Sequence, residues 1–174
     1  FGYDITPLLQ FGRRNLLEVK VAKHSANASI NAAERKADWW LFGGIYRPVW
    51  LEVVPEVHMR HFVLDGQQDG TLRAQIETAN PTAGYTLRLS LKDLTDGTPL
   101  RDKTGATSVT FPLTDIITLV ESRWEGVQPW TPETPHLYTA RLELCDPTGK
   151  AIQTREVRTG FRTIAASTAD GLTI

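Results

Sequence analysis

Residues 38 to 40, an aspartate followed by two tryptophans, are the part of the sequence best suited to bind a ligand. The carboxylate of Asp38 can accept hydrogen bonds from two neighbouring hydroxyl groups, because an ionised oxygen forms the stronger kind of hydrogen bond. A tryptophan ring suits the apolar C–H face of a pyranose and excludes water. In a strand, Trp39 and Trp40 point to opposite faces, so only one of them is expected to reach a ligand. The alternative is structural: Asp38 caps a turn, and the tryptophans fill a core or line a junction between domains.

The other residues that commonly do chemistry do not combine into a site in the sequence. His58 and His61 are three residues apart, so a regular strand directs them to opposite faces. His24 and His136 lie in loop-like sequence. The one cysteine, Cys145, has no partner for an internal disulfide and no neighbouring histidine that would make it a nucleophile. We therefore predict no metal site and no cofactor, and we expect Cys145 to pack at the end of a strand.

Charge and hydropathy exclude two classes of partner. The chain of 174 residues carries 19 Lys and Arg against 20 Asp and Glu, a formal net charge of −1, which gives no positive excess for phosphate binding. No apolar run approaches the roughly 18 residues that a membrane span needs. We predict neither a nucleic-acid partner nor a membrane span. The chain starts without Met, without the layout of a signal peptide and in what reads as structure, so we expect it to be cut from a longer protein and leave its localisation open.

Alternation of apolar and polar residues indicates which elements would position these side chains. It runs through residues 72–77, 85–92 and 138–144, so each run is predicted to be a strand with one buried and one solvent-facing side. Asn-Pro and Asp-Gly turn signals separate the runs at short intervals. Residues 55–164 are therefore predicted to form an antiparallel β-sandwich of about 110 residues, the size of an immunoglobulin-like domain, joined by packing because the cysteine pair is absent.

The first 54 residues contain too few predicted strands for a domain. Strand-like segments at 16–21 and 49–54 flank a polar stretch, residues 23–38, that is long for a structureless connection and is expected to be functional or disordered. Residues 32–37 can form one helical turn. Two or three strands cannot bury an apolar face alone, so this region is predicted to be part of a domain.

Three parts of the chain carry a resemblance to a known family. Residues 38–55, DWWLFGGIYRPVWLEVVP, resemble the end of the sugar-binding jelly-roll domain of glycoside hydrolase family 2, the family of β-galactosidases, β-glucuronidases and β-mannosidases. Residues 1–21 look like the preceding strand pair of that domain. Residues 130–144, WTPETPHLYTARLEL, followed by GFRTI at 160–164, are similar to the last two strands of its immunoglobulin-like domain. The segments occur in the family's order and the resemblance covers nearly the whole chain.

The resemblance implies an all-β chain in three parts. Residues 1–54 would be the C-terminal part of a jelly-roll sugar-binding domain, residues 55–166 an immunoglobulin-like antiparallel β-sandwich, and residues 167–174 a linker toward an absent TIM barrel. Retaining glycosidases need two carboxyl groups about 5–5.5 Å apart, and the family supplies both from the barrel. We therefore expect no catalytic residue in this chain, although the parent protein would be an O-glycosyl hydrolase of the β-galactosidase or β-glucuronidase type.

The resemblance also implies roles for individual residues. Asp38 matches the acidic residue that reaches the barrel mouth and contacts sugar hydroxyls, and Trp40 is the tryptophan that matches the pattern, so both are predicted to bind substrate. Arg47 resembles a recurrent family arginine, and its planar fork is expected to clamp a carboxylate or carbonyl at the domain interface. Gly43 and Gly44 are expected to let the backbone turn or pack closely.

These inferences predict a non-catalytic fragment of a retaining, β-galactosidase-like enzyme that scaffolds the barrel and contributes a loop to its sugar pocket. The ligand of the intact enzyme would be a carbohydrate, a β-glycoside, and the fragment's partners would be the missing jelly-roll strands and the barrel. The alternative, from a different class, is a free-standing carbohydrate-binding or adhesive β-sandwich module. Because an incomplete jelly roll exposes strand edges, we also expect disorder in residues 1–54 or a homo-oligomer formed through those edges.

Overall fold

The computed structural model describes residues 2–36, 43–169 and 171–173. The chain divides into two compact units, Phe1–Leu51 and Glu52–Ile174. Every strand that the structure describes pairs antiparallel with its neighbours, and the strands form two four-stranded sheets and one two-stranded sheet. The predicted all-β, antiparallel sandwich is therefore confirmed.

The first unit departs from the sequence prediction. Among its described residues, the regular elements are a 3-10 helix at Thr6–Leu8 and an α-helix, α1, at Ala28–Arg35. The strands predicted at 16–21 and 49–54 are wrong, because neither segment is paired as a strand in the structure. Alternation marks one side of a segment as apolar, but a strand also needs a neighbouring backbone to complete its hydrogen bonds, and pairing is not a local property.

Helix α1 is longer than the single turn predicted at 32–37. The side chain of Asn27 accepts hydrogen bonds from the backbone N–H groups of Ser29 (2.9 Å) and Ile30 (3.3 Å). Two of the otherwise unpaired N–H groups at the start of the helix are thereby satisfied. An asparagine is a preferred N-cap, so Asn27 fixes the start of α1 at Ala28. The positive charge of Arg35 in the last turn stabilises the helix by its attraction to the negative end of the helix dipole.

The second unit is a sandwich of two sheets. The first sheet has the strand order β1-β2-β6-β4, the second has the order β5-β3-β7-β8, and β9 pairs with β10 in a separate hairpin. The predicted runs at 72–77, 85–92 and 138–144 lie in β2, β3 and β7. The strands are β1 (His58–Gly66), β2 (Thr71–Ala79), β3 (Thr86–Asp93), β4 (Arg101–Asp102), β5 (Ser108–Pro112), β6 (Ile117–Glu125), β7 (Tyr138–Cys145), β8 (Ala151–Thr159), β9 (Ala165–Ser167) and β10 (Gly171–Thr173).

The core lies between the two sheets and is made of the side chains that alternate inward along each strand. Its largest fully buried members are Trp124, Tyr138 and Phe161, packed with leucines of β2, β3 and β7. Burying one leucine or phenylalanine contributes about 1.5–3 kcal/mol, so packing alone can join the sheets. Cys145 is buried and ends β7, as predicted.

Two hydroxyl groups in this core differ in their hydrogen bonding. Ser122 Oγ accepts a hydrogen bond from the indole Nε1 of Trp124 at 2.9 Å and donates one to the carbonyl of Leu72 at 3.4 Å. Thr78 Oγ1, on β2, has no hydrogen-bond partner among the residues that the structure describes. The Thr78 hydroxyl is therefore buried without a hydrogen bond to offset its lost hydration, whereas the Ser122 hydroxyl supplies the acceptor for the Trp124 indole N–H.

One turn is used twice at the ends of strands. In each copy the aspartate Oδ1 accepts three bonds: from the backbone N–H of the threonine two residues on, from that threonine's hydroxyl, and from the N–H four residues on. The aspartates are Asp102 and Asp146. The threonine hydroxyl is the largest cause that holds each aspartate pKa below its ordinary value, because these hydrogen bonds favour the charged carboxylate.

A glutamine side chain joins the two sheets at the start of β1. Gln153 on β8 accepts a hydrogen bond from the backbone N–H of Met59 at 2.6 Å and donates one to the carbonyl of Met59 at 3.4 Å. Met59 lies where the register of β1 shifts, so its backbone cannot continue the regular ladder. The amide of Gln153 therefore replaces a strand partner at the bulge.

Candidate functional site

The predicted substrate-binding residues, Asp38 and Trp40, lie outside the described residues, as does Trp39. Arg35 and Gly43, which are described and lie before and after that segment in the sequence, both approach Lys23. Arg35 Nη2 donates a hydrogen bond to the Lys23 carbonyl at 2.7 Å. A Cβ placed on Gly43 would lie 2.9 Å from Lys23 Cβ, so a glycine is needed for this approach.

An amide clamp joins α1 to the residues that precede it. Asn31 Oδ1 accepts from the backbone N–H of Ser25 at 3.1 Å, and Asn31 Nδ2 donates to the Ser25 carbonyl at 2.9 Å. Arg35 Nε also reaches Asn31 Oδ1 at 3.4 Å. The end of α1 is therefore fixed to residues 23–25. Lys23, Asn31 and Arg35 were not predicted from the sequence, because their contacts depend on the fold of the loop.

Residues after Gly44 present aromatic side chains to solvent. Gly44 has φ +98°, the left-handed region in which glycine is favoured, in agreement with its predicted role in turning the backbone. Arg47 is exposed, and its guanidinium lies 5.7 Å from the centre of the Tyr46 ring. Tyr46 and Trp50 are both strongly exposed. The clamp predicted for Arg47 stays a prediction.

The GFRTI segment forms a tight anchor where the chain leaves the sandwich. Phe161 is completely buried, and its carbonyl accepts a hydrogen bond from the Trp130 N–H at 2.8 Å. The N–H of Arg162 donates to the Gly66 carbonyl at 2.8 Å. A Cβ on Gly66 would lie 2.7 Å from the carbonyl oxygen of Gly160, so the two backbones meet only because residue 66 is glycine.

A side-chain network surrounds the buried ring of Phe161. The edge of the Tyr138 ring packs against Phe161 with centres 5.4 Å apart, and the Tyr138 hydroxyl accepts from the backbone N–H of Gln128 at 2.7 Å. A tyrosine at this strand start that bonds back to upstream backbone is typical of immunoglobulin-like sandwiches. Burial raises the pKa of Tyr138 above its usual value, while the Gln128 N–H opposes that shift.

Next to this network, His136 and Asp93 form a largely buried pair. His136 Nε2 lies 2.7 Å from Asp93 Oδ2, which joins the last residue of β3 to the segment before β7. The backbone N–H of Thr95 is the largest cause that lowers the pKa of Asp93, and His136 lowers it further. A shallow groove of about 400 Å³ lies beside the pair, lined by Leu94, Gln128 and Pro135 among others.

The described groove lacks the carboxylate pair that retaining glycoside hydrolysis requires. Hydrolysis with retention needs two carboxyl groups facing each other across the bond, and no carboxylate lines the described groove. Its polar groups are an amide, hydroxyls and the histidine already paired with Asp93.

The histidine prediction for β1 needs a correction. The register pairs His58 with Ala79 and His61 with Glu77, which are two residues apart and share one side of β2. Both histidines therefore lie on the same side of the sheet, because the bulge adds one residue between them. His58 Nδ1 lies 2.9 Å from the Pro55 carbonyl.

The described ranges lack two further kinds of feature. No group of three or more His, Cys, Asp and Glu side chains that could hold a metal ion occurs in residues 2–36, 43–169 and 171–173. In the same part of the chain, no helix is long and apolar enough to cross a membrane.

Comparison with known proteins points to one family. A β-galactosidase large subunit from Leuconostoc lactis is 30% identical over 167 residues, which are 93% of this chain and 24% of that protein. A β-galactosidase from Clostridium acetobutylicum is 31% identical over 164 residues, 92% of this chain and 17% of that protein. The chain thus spans a quarter or less of the length of these relatives.

Solved structures agree with this likeness at the level of the fold. The crystal structure of a β-glucuronidase from Bacteroides uniformis superimposes with a TM-score of 0.61 and 23% identity, covering 98% of this chain and 22% of that one. The family model of the glycosyl hydrolases family 2 matches residues 56–162, which include the sandwich strands β1 to β8 and Phe161. Because that match covers more than half of the chain, the protein belongs to glycosyl hydrolases family 2.

Proposed function

We propose that this chain is a non-catalytic part of a retaining family 2 glycosidase, in which it orients the catalytic barrel and contributes a loop to the sugar pocket. In this proposal residues 1–54 belong to a jelly-roll domain, residues 55–166 form the sandwich domain, and residues 167–174 lead to the barrel. The loop carries Asp38 as an acceptor of sugar hydroxyls and Trp40 as a stacking surface.

The anchor at residues 160–163 is the observation that carries the proposal. Phe161 fills the core while its backbone and that of Arg162 bond to both Trp130 and Gly66. Thr163 Oγ1 accepts from the N–H of Gln68 and donates to the side chain of Gln67, each at 3.2 Å. A segment held by four such bonds transmits the orientation of the sandwich to whatever follows, and fixed orientation is a recognised source of rate enhancement.

The proposed ligand is a β-galactoside, with a β-glucuronide as the alternative within the same class. The β-galactosidases of Leuconostoc lactis and Clostridium acetobutylicum support the first choice, and the Bacteroides uniformis β-glucuronidase supports the second. In the proposal, substrate choice depends on barrel loops outside this chain. Both sugars offer neighbouring hydroxyls that a carboxylate such as Asp38 can accept.

The first test separates scaffold from catalyst. Homogeneous protein of these 174 residues should not hydrolyse p-nitrophenyl β-galactoside or p-nitrophenyl β-glucuronide, because two facing carboxyl groups are required. Clear turnover by the homogeneous chain would overturn the proposal.

The second test uses the intact enzyme that carries this chain. Asp38→Ala should lower kcat/KM by about 10- to 100-fold, since a hydrogen bond to a charged group contributes about 1.5–3 kcal/mol. Glu34→Ala is the matched control, because Glu34 is an exposed carboxylate on α1 four residues earlier and should leave kcat/KM unchanged. Unaltered kinetics of the Asp38 variant would remove the loop from the sugar pocket and leave the scaffold role alone.

A free-standing carbohydrate-binding or adhesive module is the second candidate. The exposed rings of Tyr46 and Trp50 favour it, because exposed aromatic faces are the usual platforms for pyranose rings. Isothermal titration of the chain with galactose, glucuronic acid and short oligosaccharides separates the two candidates. A module binds with its platform preformed, whereas a part of a larger pocket binds weakly or not at all.

We also propose that the isolated chain associates through its first unit. Leu17, Val19 and Val21 alternate as in a strand, yet all three are exposed and lie outside any described sheet. Unpaired strand edges readily pair with other chains. Light scattering that shows a monomer, together with slow amide exchange in residues 1–54, would contradict this association.

A further inference from the structure

The second unit begins with residues 52–57, which lead into β1 and which we call the entry segment. None of these six residues lies in a helix or a strand of the described chain. The last residue of the segment, Val57, is buried and belongs to the core cluster. Because no strand ladder fixes the path of the residues before Val57, that path depends on contacts with side chains of the sandwich.

Two side chains of the sandwich bond to consecutive carbonyl groups of the entry segment. His58 Nδ1 lies 2.9 Å from the Pro55 carbonyl oxygen and 3.3 Å from the Glu56 carbonyl oxygen. Because a carbonyl oxygen only accepts, Nδ1 carries the hydrogen. Asn80 Nδ2 donates to the Glu56 carbonyl at 3.1 Å. Both carbonyl groups are therefore bonded, although no strand pairs with them.

The Asn80 amide takes the place of a missing backbone donor. Two residues beyond the last pair of β1 and β2, the register would place Pro81 opposite Glu56. Proline has no N–H, so the backbone of residue 81 cannot donate to the Glu56 carbonyl. The side chain of the preceding residue, Asn80, donates to that carbonyl instead.

The backbone of Asn80 has an unusual conformation. Its φ is +50°, the one positive value for a residue other than glycine among those that the structure describes. Asparagine is one of the few residues besides glycine that adopt the left-handed region. Such a conformation persists where the surrounding contacts fix it, and here the contact is the bond to the entry segment.

The start of the entry segment is attached to the other sheet. Glu52 forms an ion pair with Arg155, which lies on β8 at the edge of the second sheet. An exposed ion pair contributes little by itself. Together with the bonds at residues 55 and 56, however, it attaches the segment at two points on different sheets, so that each attachment opposes rotation about the other.

We propose that Asn80 and His58 are positioning residues that hold the entry segment in one path on the sandwich. They thereby set the direction from which the preceding residues of the chain reach it. This inference rests on the proposed function, because positioning matters for catalysis only where residues 1–54 carry a loop of the sugar pocket.

The first test is ¹⁵N relaxation of the 174-residue chain. The order parameters of residues 54, 56 and 57 should be about 0.85 in the wild type and below about 0.6 in Asn80→Asp, which tolerates a positive φ but replaces the donor by an acceptor. Asn80→Gly also keeps the backbone conformation and should have the same effect, and circular dichroism checks that both variants fold.

Gln75→Ala is the matched control, because Gln75 is an exposed amide on the same strand, β2, and should leave these order parameters unchanged. An entry segment that is already flexible in the wild type, or one that both Asn80 variants leave rigid, would overturn the proposal.

The second test reads the tautomer of His58 from the ¹⁵N shifts of its ring. The neutral ring should carry its hydrogen on Nδ1, because both neighbouring atoms are carbonyl oxygens. A hydrogen on Nε2 would overturn the role of His58.

The third test is a double-mutant cycle in the intact enzyme that carries this chain. Asn80→Asp should raise KM more than it lowers kcat, and in the Asp38→Ala background it should have no further effect, because both changes act on the same loop. If Asp38→Ala lowers kcat/KM and Asn80→Asp does not, the positioning role is overturned and the proposed function stands. If Asp38→Ala has no effect, the loop's part in the proposed function fails, and the positioning role fails with it.

Discussion

Replacing Thr78 by valine should stabilise the protein. Thr78 is 0% exposed on β2, and its Oγ1 has no partner within the described ranges. A buried polar group without a hydrogen bond costs about 1–3 kcal/mol, and valine fills nearly the same space with a methyl group. We expect Thr78→Val to raise the free energy of unfolding by about 1–2 kcal/mol, equivalent to a melting temperature higher by roughly 2–8 °C.

Urea denaturation followed by circular dichroism measures this change. The midpoint should rise while the slope stays the same, because the surface exposed on unfolding is unchanged. Ser122→Ala on the neighbouring strand β6 is the control of opposite sign. It removes the acceptor of the Trp124 indole N–H and should lower the free energy of unfolding by about 1–3 kcal/mol. A Thr78→Val midpoint equal to or below that of the wild type would refute the account of the core hydroxyls.

Three further predictions concern the aspartate turns, the Gln153 amide and the Phe161 anchor. The carboxyl pKa values of Asp102 and Asp146 are lower in the folded protein than the value of about 3.9 in the unfolded chain. The stabilisation that the two carboxylates contribute is therefore complete above about pH 3.9 and is lost as pH falls through the folded pKa values. Urea midpoints measured from pH 6 to pH 2 should fall, and the fall should be less steep for Asp146→Asn than for the wild type. Gln153→Ala should lower the free energy of unfolding by about 1–3 kcal/mol in urea titrations, because the backbone of Met59 loses both of its bonds to the glutamine; an unchanged midpoint would mean that water replaces the amide without loss. Phe161→Ala should lower it by about 3–5 kcal/mol, the range for a fully buried phenylalanine, as measured by thermal melting; a loss below about 1 kcal/mol would show that the anchor does not depend on the buried ring.

The strands of the sandwich were predictable because their signal is local. In β7, Ala140, Leu142 and Leu144 face the core. Arg141 and Glu143 between them face outward, so every second residue of the sequence identifies the buried face. The same pattern at 16–21 led to a wrong strand prediction. A strand also needs a neighbouring strand to pair with, and alternation does not say whether one is present.

The local exceptions had weaker signals. The bulge in β1 moved His58 to the side of His61, and nothing in the spacing of the two residues indicates an extra residue in the register. The start of α1 was detectable, since Asn27 before an alanine-rich run is a recognised N-cap signal. The helical turn was instead expected only at residues 32–37.

The sequence was enough to choose candidate binding residues, but it was not enough to predict which residues contact the surrounding loop. Asp38 and Trp40 were chosen from their chemistry and from family likeness, and both stay predictions. Lys23, which contacts the residues on each side of them, lies about 15 positions upstream and shares no pattern with them. The Phe161 anchor combines backbone contacts to β1 and to Trp130 that no periodicity encodes.

Strand β1 connects two fixed points of the sandwich. At its start, Gln153 bonds to the backbone of Met59, and nearby Arg155 forms an ion pair with Glu52. At its end, the Gly66 carbonyl accepts the N–H of Arg162. Seven residue steps at about 3.3 Å each separate Met59 from Gly66 by about 23 Å. Because a paired strand resists bending, the backbone at Met59 and the backbone at Gly66 are held at a fixed separation within the sandwich.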